Sequence, residues 1–179
     1  MVSTDTPAYY LTSVARDRLP VFRTDPIKAV ASQALDEARR TGNFMIFAYV
    51  IMPDHIHMVA AGNPKPSEIL RYANGITAHR IIGHLKEAGH ESSLRKLERQ
   101  SGERKHKYSL WDHNPDVRIL TNEDSLMQRV NYTHQNPVRL GLVDRPQDYL
   151  WSSARQWNWI PLEDEPLIVD QKSIRWRSR

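Results

Sequence analysis

Apolar and polar positions along the chain form short blocks that predict strands and helices in turn. Strand composition marks 9–14, 44–52, 55–61, 108–111 and 117–120, and apolar residues at helical spacing mark 28–40, 66–86, 122–135 and 148–157. The apolar segment 44–52 is followed by a break at Pro53-Asp54, so it and the next strand are expected to form a buried hairpin. Pro137 is expected to end the third helix, because proline disfavours helical backbone in the residue before it.

The order of these elements predicts an α+β fold, with a central, largely antiparallel sheet and helices packed on it. Residues 1–160 are assigned to this single domain. Residues 87–107 are polar and lack apolar periodicity, so we expect a flexible insertion between the two halves of the domain. Residues 161–179 are expected to form a basic, irregular C-terminal tail that is either a frayed end or a contact for phosphates.

Composition narrows the classes of protein that fit. The chain has 179 residues, 40% of them hydrophobic, which is enough for one folded domain and excludes global disorder. It has no run of apolar residues long enough for a membrane helix and no apolar core of a signal peptide near its start, so we expect a cytoplasmic protein with no membrane partner. The absence of cysteine excludes disulfides, thiolate nucleophiles and cysteine-bound zinc.

The net charge of +4 is a mild basic excess. It is compatible with a nucleic-acid partner but does not identify one. Residue chemistry must therefore decide the function.

Two histidines follow the break at Pro53-Asp54. Because side chains alternate between the faces of a strand, His55 and His57 project to one face and Ile56 to the other. Two imidazoles on one face can chelate a divalent ion, and the break places them near the end of the sheet, where a substrate can approach. An isolated pair of this kind is more often two ordinary histidines on a solvated face, so that interpretation also stays open.

A tyrosine and an asparagine stand out on the helix that begins near residue 122. Leu126, Met127 and Val130 define its apolar face, and Tyr132 falls almost opposite that face. Asn136 is one turn further on the same side, because residues four apart are neighbours on a helix. This pairing suits a phenolic nucleophile beside a metal ligand. An exposed tyrosine, followed by an asparagine that ends the helix, explains the pattern equally simply.

Two segments carry a resemblance to a known family. Met52-Pro53-Asp54-His55-Ile56-His57 resembles the histidine-hydrophobic-histidine motif of HUH single-tyrosine transposases. Residues 131–143, followed by Tyr149-Leu150-Trp151-Ser152-Ser153, are similar to the tyrosine-helix signature of the REP-associated tyrosine transposases. The order of elements from about residue 9 to residue 157 agrees with that family, whereas 87–107 and the tail are not covered.

The resemblance implies a ferredoxin-like, HUH-type fold and an enzyme that cuts and rejoins single-stranded DNA. It implies that Tyr132 is the nucleophile and that His55, His57 and Asn136 bind a divalent metal ion, Mg²⁺ or Mn²⁺. Tyr132 would attack phosphorus and displace a 3′ hydroxyl, leaving a 5′-phosphotyrosine that keeps the energy of the phosphodiester. The implied partner is single-stranded DNA that contains a hairpin.

Two alternatives share the fold. A protein that binds single-stranded or hairpin DNA without cutting it would need none of this chemistry, and the presence of His55, His57 and Tyr132 favours the enzyme. A replication initiator or relaxase would use the same chemistry, but such proteins usually bring further domains. A homodimer is compatible with the sequence in either case.

Several residues are candidates for contacts with DNA. Five arginines are candidates for phosphate contacts, although each is more often a plain surface residue: Arg71, Arg80, Arg118, Arg129 and Arg139. Tyr72, Trp111 and Trp151 are candidates for base stacking, with core packing the stronger expectation for the tryptophans. We assign no metal role to His113 or His134, and His134 falls on the buried side of its helix.

Overall fold

One antiparallel sheet organises the molecule. The computed structural model describes residue 2 and residues 6–98 and 107–175. Its four named strands are β1 (Ala8–Val14), β2 (Phe44–Ile51), β3 (His55–Gly62) and β4 (Asp116–Leu120). They lie in the order β2-β3-β1-β4, and each neighbouring pair is antiparallel. The predicted α+β fold with an antiparallel sheet is confirmed, as is the hairpin of β2 and β3.

Five α-helices connect or follow these strands within the described residues. They are α1 (Asp25–Gly42), α2 (Pro66–Glu87), α3 (Glu91–Leu97), α4 (Glu123–Arg139) and α5 (Ala154–Trp157). The chain order β1-α1-β2-β3-α2-β4, combined with the strand order, is the ferredoxin-like arrangement that the resemblance implies. None of the described helices is long and apolar enough to cross a membrane.

The two faces of the sheet bury different sets of side chains. Leu11 and Met58 belong to the larger core, which α1 and α2 complete. Their sequence neighbours Tyr10 and Val59 point to the other face, where Leu126 of α4 joins a smaller core. Strand alternation therefore divides the molecule into an α1/α2 layer and an α4 layer.

Helix α4 continues past Pro137, so the prediction that this proline ends the helix is wrong. The helix begins at the cap of Asn122, whose side-chain oxygen accepts a hydrogen bond from the Ser125 amide at 2.8 Å. Pro137 lies only two residues before the end at Arg139, in the last turn. A proline there removes one helical hydrogen bond near a terminus, and tertiary packing outweighs that loss.

The prediction of a flexible insertion over 87–107 is wrong for its described part. Helix α3 occupies Glu91–Leu97, and Leu94 and Leu97 are buried in the larger core. Two leucines three residues apart are enough to dock so short a helix, but they are too few to show periodicity in the sequence. Residues 99–106 lie outside the described residues.

Two further predicted elements are replaced by irregular segments. Residues 108–111 form isolated bridges, Tyr108 to Glu98 and Trp111 to Ala15, in place of a strand. The predicted helix 148–157 is helical only over Ala154–Trp157. The residues before it run along the outer edge of β2, where the Ile51 amide donates to the Trp151 carbonyl at 2.9 Å. Covering that free strand edge satisfies backbone groups that a longer helix would leave exposed.

The C-terminal segment is irregular, as predicted, but up to residue 175 it is not a frayed end. Leu167, Val169 and Ile174 are buried. Asp170 accepts hydrogen bonds from the guanidinium of Arg39 and from the Ile46 amide, each at 2.9 Å. These contacts attach the segment to α1 and β2. Residues 176–179, with Arg177 and Arg179, lie outside the described residues.

His134 is a buried histidine that makes the stability of the fold depend on pH. Its Nε2 atom lies 2.8 Å from the Ser153 hydroxyl, and burial lowers the pKa of His134 from 6.5 to about 4. Between these values the unfolded chain binds a proton that the folded chain does not, so stability falls as the pH falls from 6.5 towards 4. The free energy of unfolding of the parent chain should fall when the pH is lowered from 7 to 5. In His134→Gln we expect this fall to be smaller by about 2 kcal/mol.

Urea unfolding of both chains at the two pH values measures this difference. Glutamine keeps a polar group towards Ser153 but does not titrate, and any contribution from the other histidines is common to both proteins. Equal losses in the two chains would contradict the prediction.

Candidate active site

The histidine pair lies where the sequence analysis placed it, on one face of β3. The ring centroids of His55 and His57 are 4.6 Å apart, with the rings nearly perpendicular. Both rings face the α4 layer, because His57 and Val59 alternate with Met58 of the larger core. The solvated-face alternative is wrong for His57, which is 7% exposed.

Two hydroxyls of β1 orient His57. In the β1–β3 register Thr12 lies opposite His57, and its Oγ1 is 2.9 Å from the ring Nδ1. The Tyr10 hydroxyl is 2.7 Å from the same nitrogen. Hydroxyls both donate and accept, so they support either neutral tautomer of the ring, including the one that leaves the Nε2 lone pair free.

The environment of His57 keeps its ring neutral. Burial, followed by the neighbouring His55, lowers the pKa of His57 to about 3, although a hydrogen bond with Asn136 acts in the opposite direction. An imidazole that is neutral at ordinary pH can bind a cation without first losing a proton. Burial also raises the pKa of Tyr10 to about 12, so its hydroxyl keeps its proton.

A carboxylate orients His55 in the corresponding way. The Nδ1 atom of His55 is 2.6 Å from Oδ1 of Asp54, whose other oxygen accepts from Arg18 at 3.1 Å. Burial works against ionisation of Asp54, but His55 and Arg18 together lower its pKa. A proton held at Nδ1 by this carboxylate leaves Nε2 with its lone pair, as in many metal-bound histidines.

Helix α4 brings Tyr132 and Asn136 to the histidines. The Tyr132 ring lies edge-on to His57 and Tyr10, with centroid separations of 5.9 and 6.1 Å. The Asn136 amide nitrogen donates to the Tyr132 carbonyl at 2.8 Å, which leaves the amide oxygen as the acceptor of this side chain. The histidine pair, the tyrosine and the asparagine therefore converge on one site between β3 and α4, which is called the cleft below.

The helical angles alone misplaced Tyr132, which is half-buried and does not face away from the core. Leu126 and Val130 mark the buried face only in the first part of α4. Further along, the helix lies over the polar side chains of β1 and β3. Its buried side there includes a polar residue, Asn136, which is 8% exposed. An apolar-face argument cannot detect burial against polar groups.

Of the five candidate arginines, two lie beside the tyrosine. The guanidinium carbons of Arg129 and Arg139 are 5.7 and 5.1 Å from the Tyr132 ring centroid. Arg118 of β4 lies opposite Tyr10 in the register and is paired with Asp116 at 3.1 Å. These three arginines share the α4 layer with the cleft.

The other two arginines are not brought to the cleft. Arg71 and Arg80 both lie on α2, which covers the opposite face of the sheet. The Arg80 guanidinium forms two hydrogen bonds of 2.8 Å with Glu37 of α1, and the Arg71 guanidinium lies over the Tyr72 ring.

Comparison with known proteins assigns the family. Residues 4–114 match the family model described as "Transposase IS200 like". The chain belongs to the IS200-like transposase family. The matched residues of this IS200-like transposase include the histidine pair and end before α4.

Two relatives extend the comparison over most of the chain. A Haemophilus influenzae protein provisionally named a REP-associated tyrosine transposase is 28% identical over 148 residues, which cover 81% of this chain and 78% of the relative. A solved structure of a REP-associated tyrosine transposase bound to a REP hairpin has a TM-score of 0.62 at 18% identity, covering 97% of this chain and 92% of its own. The resemblance seen in the sequence is thus confirmed, and so is the fold.

Sequence reasoning missed three residues that shape the site of this IS200-like transposase: Tyr10, Thr12 and Asp54. Polar groups at alternate positions of an otherwise buried strand were the available signal for the first two. Asp54 was noticed only as part of a chain break. Of the stacking candidates, Trp151 is buried in the larger core as expected, and its indole nitrogen donates to Asp25.

The donor set of the cleft fits a divalent cation. His55 and His57 offer ring nitrogens, and Asn136 offers an amide oxygen. All three ligand atoms belong to side chains that can bind a cation in their neutral form. No group of three His, Cys, Asp or Glu side chains suitable for a metal occurs within 6–98 and 107–175 or at residue 2. A cation here would therefore need substrate oxygens or water to complete its shell, which suits a site that acts on phosphate.

Proposed function

We propose that this IS200-like transposase cuts and rejoins single-stranded DNA through a covalent bond between Tyr132 and a 5′ phosphate. The observation that carries the proposal is the convergence of α4 on the histidine pair. The centroid of the Tyr132 ring is 5.9 Å from that of His57, and Asn136, one turn further along α4, donates to the Tyr132 carbonyl at 2.8 Å. A phosphate that contacts the histidines would lie beside the Tyr132 side chain.

Family and shape together support the substrate class. Transposases act on DNA, and the structural relative is bound to a REP hairpin. The cleft lies between one helix and one sheet, which suits an extended strand better than a wide duplex. We therefore propose single-stranded DNA that carries a hairpin as the substrate.

The proposed cleavage step exchanges one phosphate ester for another. The oxygen of Tyr132 forms a bond to phosphorus, and the bond from phosphorus to the 3′ oxygen breaks. The phenol loses its proton and the departing 3′ oxygen gains one. Because the 5′-phosphotyrosine keeps the energy of the broken ester, a 3′ hydroxyl can reverse the step and rejoin the strand without a nucleotide cofactor.

The residues around Tyr132 have distinct proposed roles. His55, His57 and Asn136 would hold the metal ion, and Tyr10, Thr12 and Asp54 orient the imidazoles. A bound Mg²⁺ or Mn²⁺ ion would polarise the scissile phosphate and offset its negative charge. The guanidiniums next to Tyr132 are those of two arginines, Arg129 and Arg139, which place permanent positive charge where phosphate oxygens gather during the attack.

Replacing Tyr132 by phenylalanine tests the nucleophile. Tyr132→Phe removes one oxygen and keeps the ring against His57 and Tyr10, so the fold should barely change. We expect the covalent adduct with labelled hairpin-containing single-stranded DNA, formed in Mg²⁺ or Mn²⁺, to disappear on denaturing gels. Binding measured by fluorescence anisotropy should survive, because affinity is spread over many phosphate and stacking contacts.

A tyrosine outside the cleft provides the matched control. Tyr72→Phe, on α2, should form the adduct at the parental level. An adduct with Tyr132→Phe would assign the nucleophile to another residue. DNA binding with no adduct in the parent chain, under either metal, would leave the alternative of a binding protein that does not cut.

Asp54 provides a test of the metal site that does not depend on cleavage. Asp54→Asn weakens the hold on the His55 ring without touching either candidate ligand nitrogen, so we expect about 10- to 100-fold weaker Mn²⁺ binding. Titration calorimetry or electron paramagnetic resonance of the DNA-free protein measures this. Asp17→Asn, at an exposed site with φ of 54° that asparagine tolerates, is the control and should bind like the parent. Unchanged affinity in Asp54→Asn would refute this role of Asp54.

A further inference from the structure

A large open groove lies outside the catalytic cleft, in the α1/α2 layer. It runs between α2 and residues 107–115 and has a volume of about 1030 Å³. The candidate residues of the cleavage reaction, which lie in the α4 layer, do not line it. The groove therefore needs an explanation of its own.

Helix α2 exposes its backbone to this groove at two glycines. Gly75 and Gly83 both line it, and a Cβ atom built on either would meet nothing within 4 Å. Neither glycine has a positive φ, so backbone conformation does not require them. Glycine inside a helix costs about 1 kcal/mol relative to alanine, which makes close approach of a ligand to the helix backbone a reason for its use here.

The groove is basic and has an aromatic ring beside its cations. Arg71, Lys86 and Lys107 line it, with Asp112 as the acid among its lining residues. The Nζ atoms of Lys86 and Lys107 lie 5.3 and 5.4 Å from the Tyr108 ring centroid. Lys107 also contacts Glu98, whereas Arg71 and Lys86 have no acidic partner among the residues that the structure describes. Cations beside a half-buried ring are the usual composition of a surface for single-stranded nucleic acid.

The chain itself connects this groove to the catalytic cleft. His113 and Pro115 line the groove, and the next residue, Asp116, begins β4. Strand β4 is the edge of the sheet, and its Arg118 lies on the α4 face opposite Tyr10. A strand of DNA that left the cleft across the β4 edge would pass Arg118 before it reached the groove.

We infer that this groove binds the phosphodiester backbone of the single-stranded DNA that continues beyond the cleaved position. The inference rests on the proposed function, because it concerns the same substrate. Arg71, Lys86 and Lys107 bind phosphates, Tyr108 offers a ring face to a base, and the two glycines let the strand lie close to α2. A duplex has no unpaired base to stack on Tyr108, so we expect it to bind the groove more weakly than a single strand does.

The test compares oligo(dT) lengths in a Tyr132→Phe background, so that binding is measured without cleavage. One probe has about 6 nucleotides, enough for the cleft alone, and the other about 16, enough to continue into the groove. We expect Arg71→Ala/Lys86→Ala to bind the long probe at least tenfold more weakly at low salt and the short probe normally. The dependence of log K on log salt concentration should also become shallower by about 1.4, for two phosphate contacts on a single strand.

Two matched controls distinguish the effects of lost charge and of a filled groove from damage to the fold. Arg80→Ala removes a cation from the same helix that does not line the groove, and should bind both probes normally. Gly83→Leu fills the groove without a change of charge and should weaken binding of the long probe, and Gly83→Ala should weaken it in the same direction but by less. Both replacements favour the helix, so neither is expected to unfold the protein.

The outcomes distinguish this inference from the proposed function. Unchanged affinity of Arg71→Ala/Lys86→Ala for the long probe would overturn the groove assignment, even if the Tyr132 chain forms its adduct. A blunt duplex that loses affinity as strongly as the long single strand would overturn it as well. Selective loss of long-probe affinity would support it, even if no adduct forms with any protein.

Discussion

The antiparallel register between β1 and β3 is the constraint on which the site depends. It places Thr12 opposite His57 and brings the Tyr10 hydroxyl to the same ring nitrogen. A slip of one residue would turn these side chains to the other face of the sheet and leave a buried imidazole without partners. The hydrophobic neighbours Leu11 and Met58, which must enter the larger core, prevent such a slip. Core packing on one face thus specifies polar geometry on the other.

Helix α4 covers a surface that changes from apolar to polar along its length. Near its start Leu126 and Val130 pack in the smaller core, and near its end Tyr132 and Asn136 lie against the ring of His57. The apolar part supplies the docking energy that holds the polar part in place. Burial then keeps the imidazole neutral, because a charged ring would be poorly solvated there. The same packing that stabilises the helix therefore prepares the proposed metal ligands.

The differences between predicted and observed elements arise where tertiary contacts outweigh local preference. Residues 149–153 resemble a helix in composition but run along the open edge of β2, where they accept and donate strand hydrogen bonds. Pro137 remains inside α4 because the loss of one terminal hydrogen bond is small against the packing of the helix. The local preference of a segment for helix or strand is weak compared with the contacts that the same residues can make with a strand edge or a core face.

The sequence by itself determined the order of the main strands and helices, the shared face of His55 and His57, and the pairing of Tyr132 with Asn136. These follow from strand alternation and helical spacing, which are local geometry. Only the tertiary structure decided that Tyr10, Thr12 and Asp54 orient the imidazoles, and that Arg129 and Arg139 lie beside the tyrosine while Arg71 and Arg80 do not. Those contacts join residues from different elements, and their geometry depends on strand register and helix docking, which no local pattern encodes.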